Sequence, residues 1–454
     1  MKKSKTQVHS VEMLFMVLIP FIIVLIVSIG ASLVASKKEG DFFLANRSIR
    51  WPLLLGTFVG TQVGGGFILG NTEASWKLGL FGSLYGVGLA LGMLGLGLGY
   101  GARLRALGVE TLPKLLEKRY ESPLLKKATA LLSIFSLGGI LMCQAIGLKK
   151  FLCSMSFSSE WIYLLSWGVV VFYTTCGGLL AVVWTDVIQA VVMVVMLAIT
   201  FSSALIPQWP VISTQMASMG YTFDGSVLAS LIIPLCFIFV EQDMAQRCFA
   251  AKTPKDATKG CLATAVVLLI LSAIPTLCGI LGKAMNLSPD DGAIFMQVMK
   301  KVSNPFVFVM ASSSVLLAII STASAILLAL SSNAAQDMML SQKNGRFITL
   351  LLGAGALLGP YLGNDIIGWM VGSYEISVGA LFIPIMYAVF TKRETLPKQA
   401  AWGSALLGTL GTIIAQQCST SLMGVLIPFV LSAIGFGIGW KVGKKAQPAE
   451  ICLS

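Results

Sequence analysis

Residues 60–74 read GTQVGGGFILGNTEA. The stretch lies inside an apolar run, 51–76, long enough to cross a hydrocarbon core of about 30 Å as a helix. Yet three successive glycines, Gly64 to Gly66, stand beside Thr61 and Gln62, and among helix residues only proline is a poorer former than glycine. A span interrupted at mid-depth bares N–H and C=O groups, which survive in a bilayer only where protein or a water-filled cavity satisfies them. Transporters built from internal repeats hold ions and solutes at such interruptions. Close helix packing through small residues is the alternative; it suits the scattered glycines of GLALGMLGLGLGYG at 88–101 better than a run of three.

Outward from this stretch the chain reads as membrane. Hydrophobic residues fill 56% and charged residues 11% of its 454 positions, against about 25% charged in a soluble domain. Apolar runs follow at 11–35, 51–76, 78–104, 124–152, 161–177, 179–205, 225–248, 261–284, 305–337, 347–362, 366–390, 400–416 and 422–440. Barrel strands need only about 10 alternating residues, so the expected fold is all-α, a polytopic membrane protein of about 13 transmembrane helices. The first run follows a basic start but lacks a small-residue cleavage site, so it is expected to be retained. Lys and Arg gather after odd-numbered spans, as at Lys37, Lys38, Arg47 and Arg50 and again between Arg103 and Lys127. That bias places the amino terminus outside and the carboxyl terminus inside. Spans two to six (51–205) and seven to eleven (225–390) then form two sets of five in opposite orientation, with 11–35 and 400–440 as additions.

The formal charge of +12 is spread in short clusters between apolar runs, which speaks for topology and against nucleic acid. The nine cysteines show neither a paired framework nor a zinc spacing. His9 is the one histidine, so a histidine-based triad or metal cluster within the membrane is excluded, and neither an enzyme nor a bound cofactor is expected.

An ionised side chain at membrane depth needs a partner. Asp186, in GGLLAVVWTDVIQ, has no Lys or Arg within a helical turn, so its expected counter-charge is a mobile cation. Asp243 and Asp337 are expected to emerge at the cytoplasmic interface beside Arg247 or Lys343. The seventh span carries a second set of breakers, Pro234 and then Glu241, Gln242 and Asp243. The ninth contains SSSVLLAIISTASAILLALSS at 312–332, where Ser321, Thr322 and Ser324 group hydroxyls on about one turn. Such hard oxygens suit an alkali cation; equally, each hydroxyl can bond a carbonyl one turn back on its own helix.

Four segments resemble the sodium:solute symporter family: GTQVGGGFILGNTEA at 60–74, GGLLAVVWTDVIQA at 177–190, EQDMAQRCFAAKTP at 241–254 and AIISTASAILLALSS at 318–332. The resemblance implies a LeuT-type five-plus-five inverted repeat with broken helices. It implies a sodium ion held by the carbonyls of Gly60, Val63 and Ala318 and the hydroxyls of Ser321 and Thr322. In members with a second sodium, positions matching Asp186 and Ser324 contribute; Ala325 stands here where a second serine would help. The first segment is most similar to the choline-transporter branch, but Gln62 and Glu241 stand where that branch has tryptophans, implying a polar pocket. Expected solute contacts are Gln62, Gly64, Phe67, Phe237 and Glu241. The implied activity is sodium-coupled import of a small polar organic solute by alternating access, in a cytoplasmic membrane whose lipid is the protein's solvent. Sodium is then the coupling ion. A proton-coupled or uncoupled carrier in which Glu241 or Asp186 titrates stays open, as does a membrane solute sensor that does not transport.

Overall fold

The computed structural model describes residues 43–155, 159–220, 223–338, 345–363, 366–417 and 422–446, with Ile22, Ile26 and Gly30 as isolated helical positions. Most of the expected first span, together with Lys343, lies outside the described residues. Those residues are helical throughout, apart from turns and one isolated bridge between Ile49 and Ala251.

The helices that matter below are α1 (Trp51–Gln62), α2 (Asn71–Leu78), α3 (Leu84–Gly95), α4 (Gly101–Ala106), α5 (Leu112–Tyr120), α6 (Pro123–Ser154), α7 (Glu160–Thr200), α8 (Trp209–Ser218), α9 (Gly225–Val240), α10 (Gln242–Ala250), α11 (Pro254–Ala284), α12 (Ile294–Val302), α13 (Pro305–Asp337), α14 (Gly345–Gly355), α15 (Gly359–Leu362), α16 (Ile366–Phe390), α17 (Lys398–Gln417) and α18 (Leu422–Ala446). Among the described residues eight helical segments are long and apolar enough to cross a membrane, nine if the bent pair α9 and α10 is one span. That is fewer than the thirteen runs in the sequence: the first run lies mostly outside the described residues, and the break after α1 divides the second.

Local chemistry sets the helix starts. Ser122, Thr253 and Asn304 each cap a helix through a side-chain oxygen, accepting from Leu125, Asp256 and Val307 N–H, and proline follows each at the first helical position. The two apolar runs at 161–177 and 179–205 meet in α7 at Gly178, whose φ of 64° and ψ of −173° turn the chain where a side chain would be strained. Bilayer lipid supplies no hydrophobic drive between helices, so tight contact between small residues holds them. The glycine stripe of α3 does this: a methyl on Gly88 would lie 2.5 Å from Leu231 O of α9, and one on Gly92 2.7 Å from Ile238.

Helix α13 is the axis of the molecule. Every residue from Ala311 to Ala335 is buried, packed against α7, α6, α14 and α1. By contrast α6, α7 and α18 turn large apolar side chains outward, among them Phe135, Leu165, Phe172, Val191 and Val430, as a lipid-facing surface requires. One stitch matters later. Ile49, just before α1, receives a hydrogen bond from Lys252 N–H (2.7 Å) and donates to Ala250 O (3.2 Å), tying the start of α1 to the end of α10.

Candidate functional site

Two helices break inside the bundle. After α1 the chain leaves helical geometry at Val63 (φ −88°, ψ 74°) and resumes within the glycine run, so the interruption falls where the sequence places it. The second break falls within the expected set of breakers, at Glu241 and not at Pro234. Pro234 sits inside continuous α9, and the chain turns instead at Glu241 (φ −77°, ψ 121°), bending α10 by 44° from α9. A proline removes one helical hydrogen bond but need not end a helix. Here the turn is made by one extended residue seven positions later.

The hydroxyls of α13 part company. Thr322 Oγ1 crosses to α1, donating to Thr61 O (2.8 Å) with Gly60 O at 3.2 Å, 262 positions away in sequence. Ser321 bonds Ala318 O (3.2 Å) and Ser324 bonds Ser321 O (2.9 Å), each three residues back on its own helix. Gly64 lies so close beneath α13 that a methyl there would meet Thr322 Oγ1 at 2.6 Å. Thus Gly60, Thr322 and the break at Val63 are brought together, while the Ser321 hydroxyl and the Ala318 carbonyl face each other along α13.

Asp186 requires a correction. Its counter-charge is a protein group: Arg247 Nη2 lies 3.3 Å from Asp186 Oδ2, with both side chains fully buried. Thr57 donates to the same carboxylate oxygen at 2.6 Å and accepts from Arg247 Nε at 2.9 Å. No sequence window contains this pair, because 61 residues separate its members. Arg247 does stand beside Asp243, donating to its backbone oxygen at 3.0 Å, but inside the protein. Asp243 and Asp337 do not emerge into solvent: both are fully buried, and Asp337 Oδ1 accepts from Thr111 at 3.0 Å. Asp186 nonetheless touches the first break, since a methyl on Gly60 would meet Asp186 O at 3.1 Å.

Between the breaks lies a small cavity of about 20 Å³. All five expected solute contacts, Gln62, Gly64, Phe67, Phe237 and Glu241, line it, as does Thr322. Gln62 Nε2 donates to Glu241 Oε2 at 3.2 Å, joining the two breaks directly. Tyr85, Gln144, Met370 and Tyr374 also line it, and sequence reasoning missed them. Gln144 Oε1 accepts from Gly65 N–H (2.9 Å), one of the donors that the interruption bares, and Tyr374 stacks on Phe237 at 4.2 Å between ring centroids. A buried glutamine in α6 was the one signal available for this group; the aromatic residues of α3 and α16 look like ordinary span residues.

Comparison with known proteins gives a consistent result. The sodium:solute symporter family model matches residues 42–395. The sodium/pantothenate symporter of Escherichia coli (strain K12) is 25% identical over 96% of this chain and 98% of its own length. That of Haemophilus influenzae is 28% identical over 94% and 97%. A sodium-coupled sialic acid symporter, solved substrate-bound and outward-open, superposes with a TM-score of 0.75 at 16% identity, covering 95% of this chain and 98% of that one. It shares the fold, which is of the LeuT type. The chain belongs to the sodium:solute symporter family: it is a multi-pass membrane protein that couples solute transport to sodium, a transporter and not an enzyme.

Proposed function

We propose that this symporter imports a small polar organic solute across the cytoplasmic membrane by alternating access, holding sodium between the first break and α13 and the solute between the two breaks. The observation that carries the reading is the Thr322 hydroxyl reaching the Gly60 and Thr61 carbonyls. A sodium ion entering there takes the place of the hydroxyl proton as the bridge, with Thr322 turning a lone pair toward it. Gly60, Val63 and Ala318 then offer carbonyls and Ser321 a second hydroxyl. Arg247 already neutralises Asp186, so one sodium per cycle is proposed, and Asp186 and Ser324 support the α1–α7–α13 junction rather than a second ion.

Sodium binding pins α1 to α13, and α10 is carried with α1 through the Ile49 stitch. Release of the ion inside frees both inner helix halves together and opens the cavity inward. One charge moving through 100 mV contributes about 2.3 kcal/mol to the cycle. At about 20 Å³ the cavity has room for little more than a water molecule, so the breaks must part to admit a solute. The two repeats are proposed at 51–205 and 225–390, with additional spans at 11–35 and 400–440, the amino terminus outside and the carboxyl terminus inside. The relatives' solutes do not carry over. Pantothenate and sialic acid are carboxylic acids, and the charged side chain that lines this cavity is an acid, Glu241.

The test is thermal unfolding and uptake by the purified protein with sodium against potassium at fixed pH. Sodium is expected to stabilise the protein and to be required for uptake. Equal behaviour in potassium, with uptake following a proton gradient, would replace this reading by the proton-coupled one.

A further inference from the structure

The buried charges around the cavity do not balance. Asp186, Asp243 and Arg247 are fully buried and Glu241 is 5% exposed. Asp337, a further buried carboxylate, stands apart at the inner end of α13 with Thr111. Arg247 is the one cation of the inner group among the described residues, and its donors are engaged by Asp186 Oδ2 (3.3 Å), Thr57 Oγ1 (2.9 Å) and the backbone oxygen of Asp243 (3.0 Å). The Asp243 carboxylate accepts from Met244 N–H at 2.8 Å, and Glu241 accepts from the neutral amide of Gln62 at 3.2 Å. Three carboxylates thus share one guanidinium, and Glu241 and Asp243 also lie within side-chain hydrogen-bond reach of each other, a pair that keeps one proton between them unless a cation takes its place. In place of that proton the group can take one further positive charge.

The lining of the cavity says what supplies it. Among its described residues there is no Lys, Arg or His, and Glu241 is the one charged side chain. Glu241 stands at the N-terminus of α10, where the helix dipole favours a negative charge. Opposite are the rings of Phe67, Tyr85, Phe237 and Tyr374, whose π faces attract cations. The Tyr374 hydroxyl, in a side chain only 1% exposed, has no hydrogen-bond partner, leaving it free to bond a polar group on the solute. Meanwhile Gln144 has taken the Gly65 N–H that could have met an anion.

We propose that the solute is an organic cation, its ammonium or guanidinium head held by the Glu241 carboxylate beside the aromatic lining of Phe67, Tyr85, Phe237 and Tyr374, with Gln62 orienting the carboxylate. The proposal rests on the cavity being the solute site, as set out above. Glu241 is then the residue that selects charge, and each cycle with a monovalent cation carries two positive charges inward.

Thermal unfolding of the full-length protein, in sodium and in potassium, separates the two ideas. The probes are ethanolamine, choline, putrescine and agmatine, each beside an uncharged analogue of the same shape and a carboxylate of similar size. At least one cation is expected to stabilise the protein in sodium, with no response to its uncharged and anionic counterparts. Glu241→Gln is expected to weaken that cation's binding by at least about tenfold, and Glu241→Asp to restore part of it. The shift caused by sodium alone is read without any solute. A sodium shift with no response to any cation, a response to the uncharged or anionic probes, or equal cation binding by Glu241→Gln would each overturn the proposal while leaving sodium coupling in place. Loss of the sodium shift in the unsubstituted protein would instead remove the sodium reading. If Glu241→Gln does not fold, the matched probes on the unsubstituted protein decide alone.

Discussion

After Gln62 the chain leaves its helix among glycines, and what it presents there is backbone. After Val240 it leaves at a single residue, Glu241, and what it presents is a charged side chain. The first break is pressed against α13, with no space for a methyl between Gly64 and Thr322. The second opens on the aromatic lining shared by α3, α9 and α16. An ion site made of carbonyls depends on packing, because any residue that fits provides the same oxygen. A solute site made of side chains depends on residue identity. On the proposed reading the solute can therefore change through positions such as Gln62 and Glu241 without disturbing the ion's oxygens, while the Gln62–Glu241 hydrogen bond joins the two breaks.

Substitutions can break this contrast. The largest effect is expected outside both sites, at the pair that anchors α10 to α7. Arg247→Met leaves Asp186 buried without a counter-charge and should lower stability by about 3–5 kcal/mol in thermal unfolding. Adding Asp186→Asn should recover much of the loss. A single substitution as stable as the parent would mean that the pair does not hold the two helices together. Next comes Gly64→Val, which forces atoms into the Thr322 hydroxyl and should cost about 1–3 kcal/mol. It should also abolish the shift in unfolding temperature that sodium produces; a normal sodium shift would show that the ion does not sit at this break.

The smallest effects sharpen the comparison within α13 itself. Thr322→Ala removes a bond between helices worth about 1 kcal/mol and should weaken the sodium requirement for uptake more than it weakens folding. Ser324→Ala removes a bond within the helix, so sodium affinity should not move. If instead Ser324→Ala lowers the number of sodium ions carried per solute, Ser324 and Asp186 form a second ion site after all.

Much of this was legible in the residues themselves. The break at Gly64 to Gly66 follows from the helix cost of successive glycines, and the α7 turn at Gly178 from a glycine pair between two apolar runs. The five residues expected to touch solute all line one cavity, because four of them flank the breaks on which the reading was built. Of the breakers expected in the second span, Glu241 makes the turn and Pro234 does not, since a proline in a membrane helix is tolerated wherever neighbours cover the freed carbonyl.

The sequence by itself determined the solvent of this protein, the helical class, the position of the first interruption and the hydroxyl-bearing turn facing it. These are properties of composition and of short-range order, which a local window contains. Only the tertiary structure decided that Arg247, not a mobile ion, answers Asp186, that Thr322 reaches across while Ser321 and Ser324 turn back, and that Tyr85, Gln144, Met370 and Tyr374 close the cavity. Those outcomes depend on which faces of distant helices meet. A charge, a hydroxyl or a ring in a span can be satisfied by several neighbours, and packing alone selects among them.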